Sequence, residues 1–150
     1  MEKKRAFSLI EIVFILGLIG ILVFYFLPVF SSFLHKTSLK SFSSQILEDL
    51  KASRQRAKFE KNTYQAVFYP RVNQSTAYYG IYRKEIGTPK FNLQTTRYLP
   101  PDINFDKMRT FVFSPSGFPP PAGFGTLIVS HAKGRTMKIV FSSSGRIRLE

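Results

Sequence analysis

Two groups of residues have types and spacings that can do chemistry. The first is one carboxylate, Glu11, set inside the apolar run "AFSLIEIVFILGLIGILVFYFLP". Hydrocarbon penalises a bare carboxylate by a few kcal/mol even on mild scales, so Glu11 needs a cationic partner or a place among headgroups. The second is a set of cations near the C-terminal end: Lys133, Arg135, Lys138, Arg146 and Arg148, with no acid between Asp106 and Glu150. Arg146 and Arg148 lie two apart on a strand-like stretch, so both project from one face. Five cations of this kind contact phosphates with little sequence preference, and affinity falls steeply with salt. Glu150 stands beside Arg148 and neutralises part of the set.

Catalytic chemistry has no comparable signal. The two histidines, His35 and His131, lie apart in the sequence, and no carboxylate pair, glycine-rich phosphate loop or metal-ligand cluster accompanies them. The serine run Ser142-Ser143-Ser144 has no base at a readable spacing. There is no cysteine, which excludes a disulfide framework, a thiolate metal site and a cysteine nucleophile. The expectation is a protein that is not an enzyme and holds no metal or cofactor.

Both groups must be positioned by elements that the pattern of residues suggests. Phe7 to Leu27 is apolar except for Ser8 and Glu11; at about 1.5 Å per residue these positions span roughly 31 Å, enough for a bilayer core. Lys3, Lys4 and Arg5 hold the N-terminus in the cytoplasm and send everything after Pro28 outside. A cleaved secretory signal fits poorly, because the run is long and Val29-Phe30-Ser31 is a weak exit site. A plain anchor fits the length but gives Glu11 no role beyond a first-turn acid favoured by the helix macrodipole. Gly17 and Gly20 share roughly one helix face, where backbones can approach closely.

Pro28 is expected to kink or loosen this helix. Beyond it, Leu39, Phe42, Ile46, Leu50, Ser53 and Ala57 recur at helical spacing, with Lys40, Glu48, Lys51, Arg54 and Lys58 on the solvent side. The helix is expected to end near Lys61-Asn62. The period then becomes strand-like over 63–70, 76–83, 95–99, 109–113, 125–131, 136–141 and 146–149, with Gly/Pro/Asn-rich links between. "HAKG" and "SSSG" read as hairpin turns that make 125–149 an antiparallel meander. Three prolines at 119–121 predict a stiff, ordered connector. The fold expected is α+β: a long N-terminal helix, membrane-spanning in its first half, packed on an antiparallel β-sandwich-like domain.

Residues 61–150 carry thirteen Lys/Arg against four acids, a net +9, within a chain of net charge +13. Such an excess attracts polyanions: nucleic acid, anionic lipid or an acidic protein.

The residues Ala6-Phe7-Ser8-Leu9-Ile10-Glu11 resemble the processing signal of type IV prepilins and type II secretion pseudopilins. The resemblance implies cleavage between Ala6 and Phe7 by a prepilin peptidase and N-methylation of the new Phe7 amine. It makes Glu11 the carboxylate five places into the mature chain, and Pro28 the helix-bending proline many pilins carry. The family more often has Gly where Ala6 stands and Thr where Ser8 stands; both residues here keep the small size. Glu11 is then a plausible partner for the Phe7 amine, its own or a neighbour's, and such a pair serves better as a register device than as a source of stability. The implied organisation is a leader over 1–6, a transmembrane helix over 7–27, its amphipathic continuation over 28–61 and a β-rich globular domain over 62–150.

The helix stretch "LEDLKASRQRAKFEKNT", with Leu50, Ala52, Arg54 and Ala57, and the tail "KIVFSSSGRIRLE" resemble the GspH/FimT branch of this family. That branch supplies minor pilins or pseudopilins of type II secretion or type IV pilus fibres, thought to sit near the tip. The implied partners are other pilins or pseudopilins, the prepilin peptidase, the inner-membrane assembly platform and the inner membrane itself. The implied location is single-pass in the inner membrane, with the globular domain periplasmic or extracytoplasmic before entry into a fibre. Some relatives on the FimT side serve in DNA uptake, with a "GR.R" tail linked to DNA contact; here that tail is Gly145-Arg146-Ile147-Arg148. The alternative expectation is therefore a minor pilin that binds double-stranded DNA.

Overall fold

The structure is a computed structural model that describes residues 9–73, 75–85, 87–121 and 123–150, with side chains described outside 27–36. The expected leader, the Ala6–Phe7 cleavage site, N-methylation at Phe7 and the side chains of Pro28 and His35 lie outside the described residues. The chain divides into two compact units, Met1–Lys36 and Thr37–Glu150.

One helix, α1 (Leu9–Phe59), contributes to both units. Pro28 falls inside it, with helical backbone on either side. In the first unit, Leu9–Phe26 is long and apolar enough to cross a membrane, and all of its side chains are exposed.

In the second unit the helix buries Leu39, Ser43, Ile46, Leu50, Ser53 and Ala57. These positions recur every three or four residues and form one stripe. The expected Phe42 is only partly buried, against the margin of the core, and Ser43 takes the central place. The small side chain of Ser43 lets the strands come close where a phenyl ring would hold them off. The helix stops at Phe59, just before the Lys61-Asn62 terminator: Lys61 takes a left-handed φ of 51°, and the Asn62 N–H reaches back to the Ala57 carbonyl at 3.2 Å.

Eight strands follow: β1 (Tyr64–Tyr69), β2 (Tyr78–Lys84), β3 (Phe91–Tyr98), β4 (Ile103–Phe105), β5 (Arg109–Phe113), β6 (Gly125–His131), β7 (Thr136–Phe141) and β8 (Ile147–Leu149). They form two four-stranded antiparallel sheets, ordered β3-β2-β1-β5 and β4-β6-β7-β8. The fold is thus α+β, with the expected β6-β7-β8 meander in the second sheet. Two stretches lay outside the sequence expectation. β4 has three residues and follows a proline turn, too short to show a period. β3 begins four residues before the expected Thr95: Phe91-Asn92-Leu93-Gln94 alternates apolar and polar residues, but the stretch is short, directly follows the Gly87-Thr88-Pro89 turn and is largely exposed.

Aromatic rings join the two sheets into one core. Phe68 of β1 stacks on Tyr79 of β2 at 5.3 Å and meets Phe105 of β4 edge-on at 5.2 Å. Phe141 of β7 meets Phe111 and Phe113 of β5 at 5.6 and 5.1 Å. The proline-rich link crosses between the sheets and is tied back to β5, where the Val112 N–H donates to the Gly123 carbonyl at 3.2 Å.

One polar cluster fastens helix to sheet. Asp49 accepts the hydroxyl proton of the buried Tyr79 at 2.6 Å and the Arg97 Nε–H at 2.8 Å, through the same oxygen. Hydrogen bonds to an ionised acceptor are worth about 1.5–3 kcal/mol. Asp49→Asn is therefore expected to destabilise the domain by about that amount. Ser43 Oγ, in contrast, is buried with no hydrogen-bond partner. Removing an unsatisfied hydroxyl relieves a desolvation cost of about 1–3 kcal/mol, so Ser43→Ala should hold or raise stability. Thermal unfolding of the full chain in neutral detergent reads both.

Alkali probes the same core. Burial, then the bond to Asp49, pushes the Tyr79 phenol far above its usual range. Burial, then the bond to Tyr69, pushes Tyr82 up to about 12. Burial and Glu60 also raise Tyr64. Below pH about 10 both folded and unfolded chains keep these protons; above it the unfolded chain loses protons that the fold retains. Stability is therefore full below pH about 10 and falls as pH rises toward 12, and Tyr79→Phe should make that fall shallower. Melting temperatures across the alkaline range provide the check.

Candidate functional site

Glu11 lies in the first turn of the described part of α1 and is exposed. Its neighbours one turn on, Phe14 and Ile15, are exposed apolar side chains. Glu11 is the only charged residue in Leu9–Phe26. Among the described residues no ion pair reaches it.

The five cations expected to form one patch are distributed along the second sheet. Lys133 and Arg135 occupy the β6–β7 turn, where Gly134 takes a φ of +81°. The Lys133 N–H donates to Nδ1 of the buried His131 at 3.2 Å, so this histidine shapes the turn. Lys138 stands midway along β7 and pairs through its backbone with Glu150, in both directions, at 2.7 Å. Arg148 lies opposite Val140 and its Nε is 2.8 Å from Glu150 Oε1. That pair is exposed and worth at most about 1 kcal/mol, but it does offset one positive charge on this face. Lys138 and Arg148 are thus near each other on the outer face of the sheet, with Glu150 between them in register.

Arg146 is elsewhere. It precedes β8, across from Ser142 at the far end of β7 from the Lys133–Arg135 turn. Six strand residues at about 3.3 Å each put roughly 20 Å between the two ends. Arg146 instead joins Lys51 and Arg54 of the helix, with Ser144 and Ile147, around a cavity of ≈ 430 Å³. The structure therefore brings Lys138 and Arg148 together, and leaves Lys133 with Arg135 at one end and Arg146 at the other.

The helix cations around this cavity are residues that the sequence reading placed only on a solvated face. Arg54 Nε donates to the Gly117 carbonyl at 3.1 Å. Gly145, at φ +78°, sits against both: a Cβ built there would be 2.6 Å from the Gly117 oxygen and 3.1 Å from Arg54 Nη2. Gly117, at φ +82°, has the Lys58 side chain where its own Cβ would stand. Two turns, Ser114–Gly117 and Ser142–Gly145, thus close onto the helix through glycines, and each is fastened internally by a 2.9 Å backbone bond. The helical spacing of Lys51, Arg54 and Lys58 shows that they share a face. It does not show that turns 63 and 91 residues further on come to meet that face.

The "GR" of the tail has two physical parts. Gly145 is a packing requirement, and Arg146 is a charge delivered to the helix. A residue with a Cβ at Gly145 pays for the left-handed backbone, about 1–3 kcal/mol, and must also displace Arg54 or Gly117. Gly145→Ala is therefore expected to lower stability by at least about 1 kcal/mol, while Gly134→Ala, in open space at the opposite turn, carries only the backbone cost. Urea unfolding of the two variants side by side measures the difference.

Comparison of the chain with protein-family models, with curated proteins and with solved structures finds no match.

Proposed function

We propose that the chain is a minor pilin or pseudopilin, a structural subunit of a type II secretion pseudopilus or a type IV pilus. The observation that carries this reading is an exposed apolar helix, Leu9–Phe26, whose one charge is Glu11, continuing in sequence into a helix whose stripe is buried by two antiparallel sheets. A bilayer accommodates the apolar surface at first, and neighbouring helices of a fibre core accommodate it afterwards. Glu11 is the residue that distinguishes these two settings. In a bilayer it is a penalty; in a fibre it meets the amine of Phe7 freed by cleavage after Ala6. Pro28 bends the helix where it leaves the core. The subunit sits in the inner membrane with the sheets outside, and takes its place near the fibre tip.

The carrying step is processing. Co-expression with a prepilin peptidase is expected to remove residues 1–6 and leave an N-methylated Phe7, read by intact mass. A mass that stays that of the unprocessed chain sinks the assignment. Glu11→Ala is expected to leave cleavage and membrane insertion intact while abolishing incorporation into fibres, read by shearing and immunoblot of the fibre fraction.

A second reading is favoured by the charge. The unit Thr37–Glu150 holds eighteen Lys/Arg against seven acids. An excess of that size draws in polyanions, and in this reading the subunit binds double-stranded DNA through the sheet that carries Lys138, Arg146 and Arg148. Retardation of a duplex by the full chain, lost as salt rises, is the expected result.

A further inference from the structure

The cavity between the helix and the β7–β8 turn contains three cations that come from two distant parts of the chain. Lys51 and Arg54 reach it from α1, and Arg146 reaches it from the turn that begins β8. Among the described residues no acidic side chain lines it. Ser144 also lines it, with its hydroxyl 2.8 Å from the Ser142 hydroxyl in a bond that either can donate; when Ser142 donates, the Ser144 proton is available to a ligand. Ile147 is the one apolar residue of the lining, so an apolar ligand finds little to bury there.

Arg54 is fixed before any ligand arrives. Its Nε is committed to the Gly117 carbonyl, and its Nη2 lies against Gly145. A guanidinium held this way keeps its planar fork of donors in one orientation, so less conformational freedom is lost on binding an oxyanion. Lys51, in comparison, is an exposed charge, paired at 2.9 Å with the still more exposed Glu48. Lys58, packed against Gly117, lies one helical turn beyond Arg54. Lys51, Arg54 and Lys58 therefore form a track along one flank of the helix, rising about 10 Å over seven residues. That length faces more than one phosphate of a nucleic-acid strand, whose charges recur every 3.4 Å or so of axial rise.

We propose that this cavity is a phosphate-binding site, in which Arg54 and Arg146 hold a backbone phosphodiester of DNA, Ser144 donates to it, and Lys51 and Lys58 face the adjoining phosphates. The inference rests on the DNA-binding reading for the source of the phosphate and on the cavity's geometry for the site. A second copy of the chain is a poor occupant, because its corresponding unit carries the same positive excess. A neutral peptide leaves the charges of Arg54 and Arg146 unmatched, Lys51 being already paired with Glu48. On the outer face of the sheet Glu150 answers Arg148 as Glu48 answers Lys51, whereas among the described residues no salt bridge is formed by Arg54 or Arg146.

Two measurements on the full chain in neutral detergent test it. In the first, a fluorescein-labelled duplex is titrated at several salt concentrations against the wild type, against Lys51→Gln/Arg146→Gln, and against Lys84→Gln/Lys90→Gln. The last removes the same charge from the β2 end and the following loop. Arg54 is left in place because it holds Gly117. The cavity variant should bind about tenfold or more weakly than the charge-matched control, with a salt slope lower by about 2. In the second, inorganic phosphate is titrated while the Arg54 Nε resonance is followed by nitrogen-15 NMR. That resonance should move saturably in the wild type and at least about tenfold less readily in the cavity variant. Duplex binding by the cavity variant within twofold of the control, or an Arg54 resonance indifferent to phosphate, overturns the cavity. A saturable response of Arg54 to phosphate in a chain that retards no duplex overturns the DNA reading and leaves the phosphate site standing.

Discussion

Asp49 is the point on which the unit Thr37–Glu150 depends. A single carboxylate oxygen accepts hydrogen bonds from Tyr79 in β2 and from Arg97 in β3, so one helical residue fixes its position against two strands of the same sheet. The apolar stripe from Leu39 to Ala57 supplies the driving force for docking, but apolar contact is non-directional and tolerates sliding or rotation. The two directed bonds from Asp49 do not. They place Arg54, a little over one turn further along, where the Ser114–Gly117 turn can meet it, and through that turn they set where Gly145 and Arg146 arrive. The geometry of the basic cavity is thus a consequence of a neutralised carboxylate more than a full helical turn away.

Much of this was legible in the sequence. The change from helical to alternating period at residue 62, the buried stripe, the C-terminal meander and most strands follow from patterns that burial itself imposes. The failures have physical causes. Phe42 reads as core because it is large and apolar, but the packing there needs a small residue, and Ser43 is the small residue at the right angle on the helix. β4 is fixed by partners more than by its own residues: it pairs with β6, and the Asn104 side chain accepts the Arg71 N–H at 2.7 Å. The first half of β3, Phe91-Asn92-Leu93-Gln94, alternates but lies at a sheet edge and is largely exposed, so its four-residue pattern marks no buried face.

The site was less legible than the fold. Glu11 is visible as an anomaly because hydrocarbon makes a carboxylate costly. The cations are visible as a count, and the alternation of Arg146 and Arg148 about the buried Ile147 is visible too. Their grouping is not, because it depends on which turn closes on which face of the helix. Arg135 and Arg146 look like neighbours in the sequence, with ten residues between them, yet strand β7 holds them at its two ends. Gly117 and Gly145 give the missing signal only in retrospect, as left-handed turn residues that follow serine-rich links.

The glycine closure has a further consequence for the order in which the chain matures. Arg54 is synthesised 63 residues before the carbonyl it bonds and 91 before the glycine it packs against. The helix therefore emerges with its apolar stripe from Leu39 to Ala57 uncovered, and its covering is complete only once the last hairpin has been delivered and paired. On the proposed membrane placement of Leu9–Phe26, that interval is spent near a lipid surface able to hold the same stripe. Assembly of the domain is then a competition between two solvents for one face of a helix, and the late strands determine how long the competition lasts.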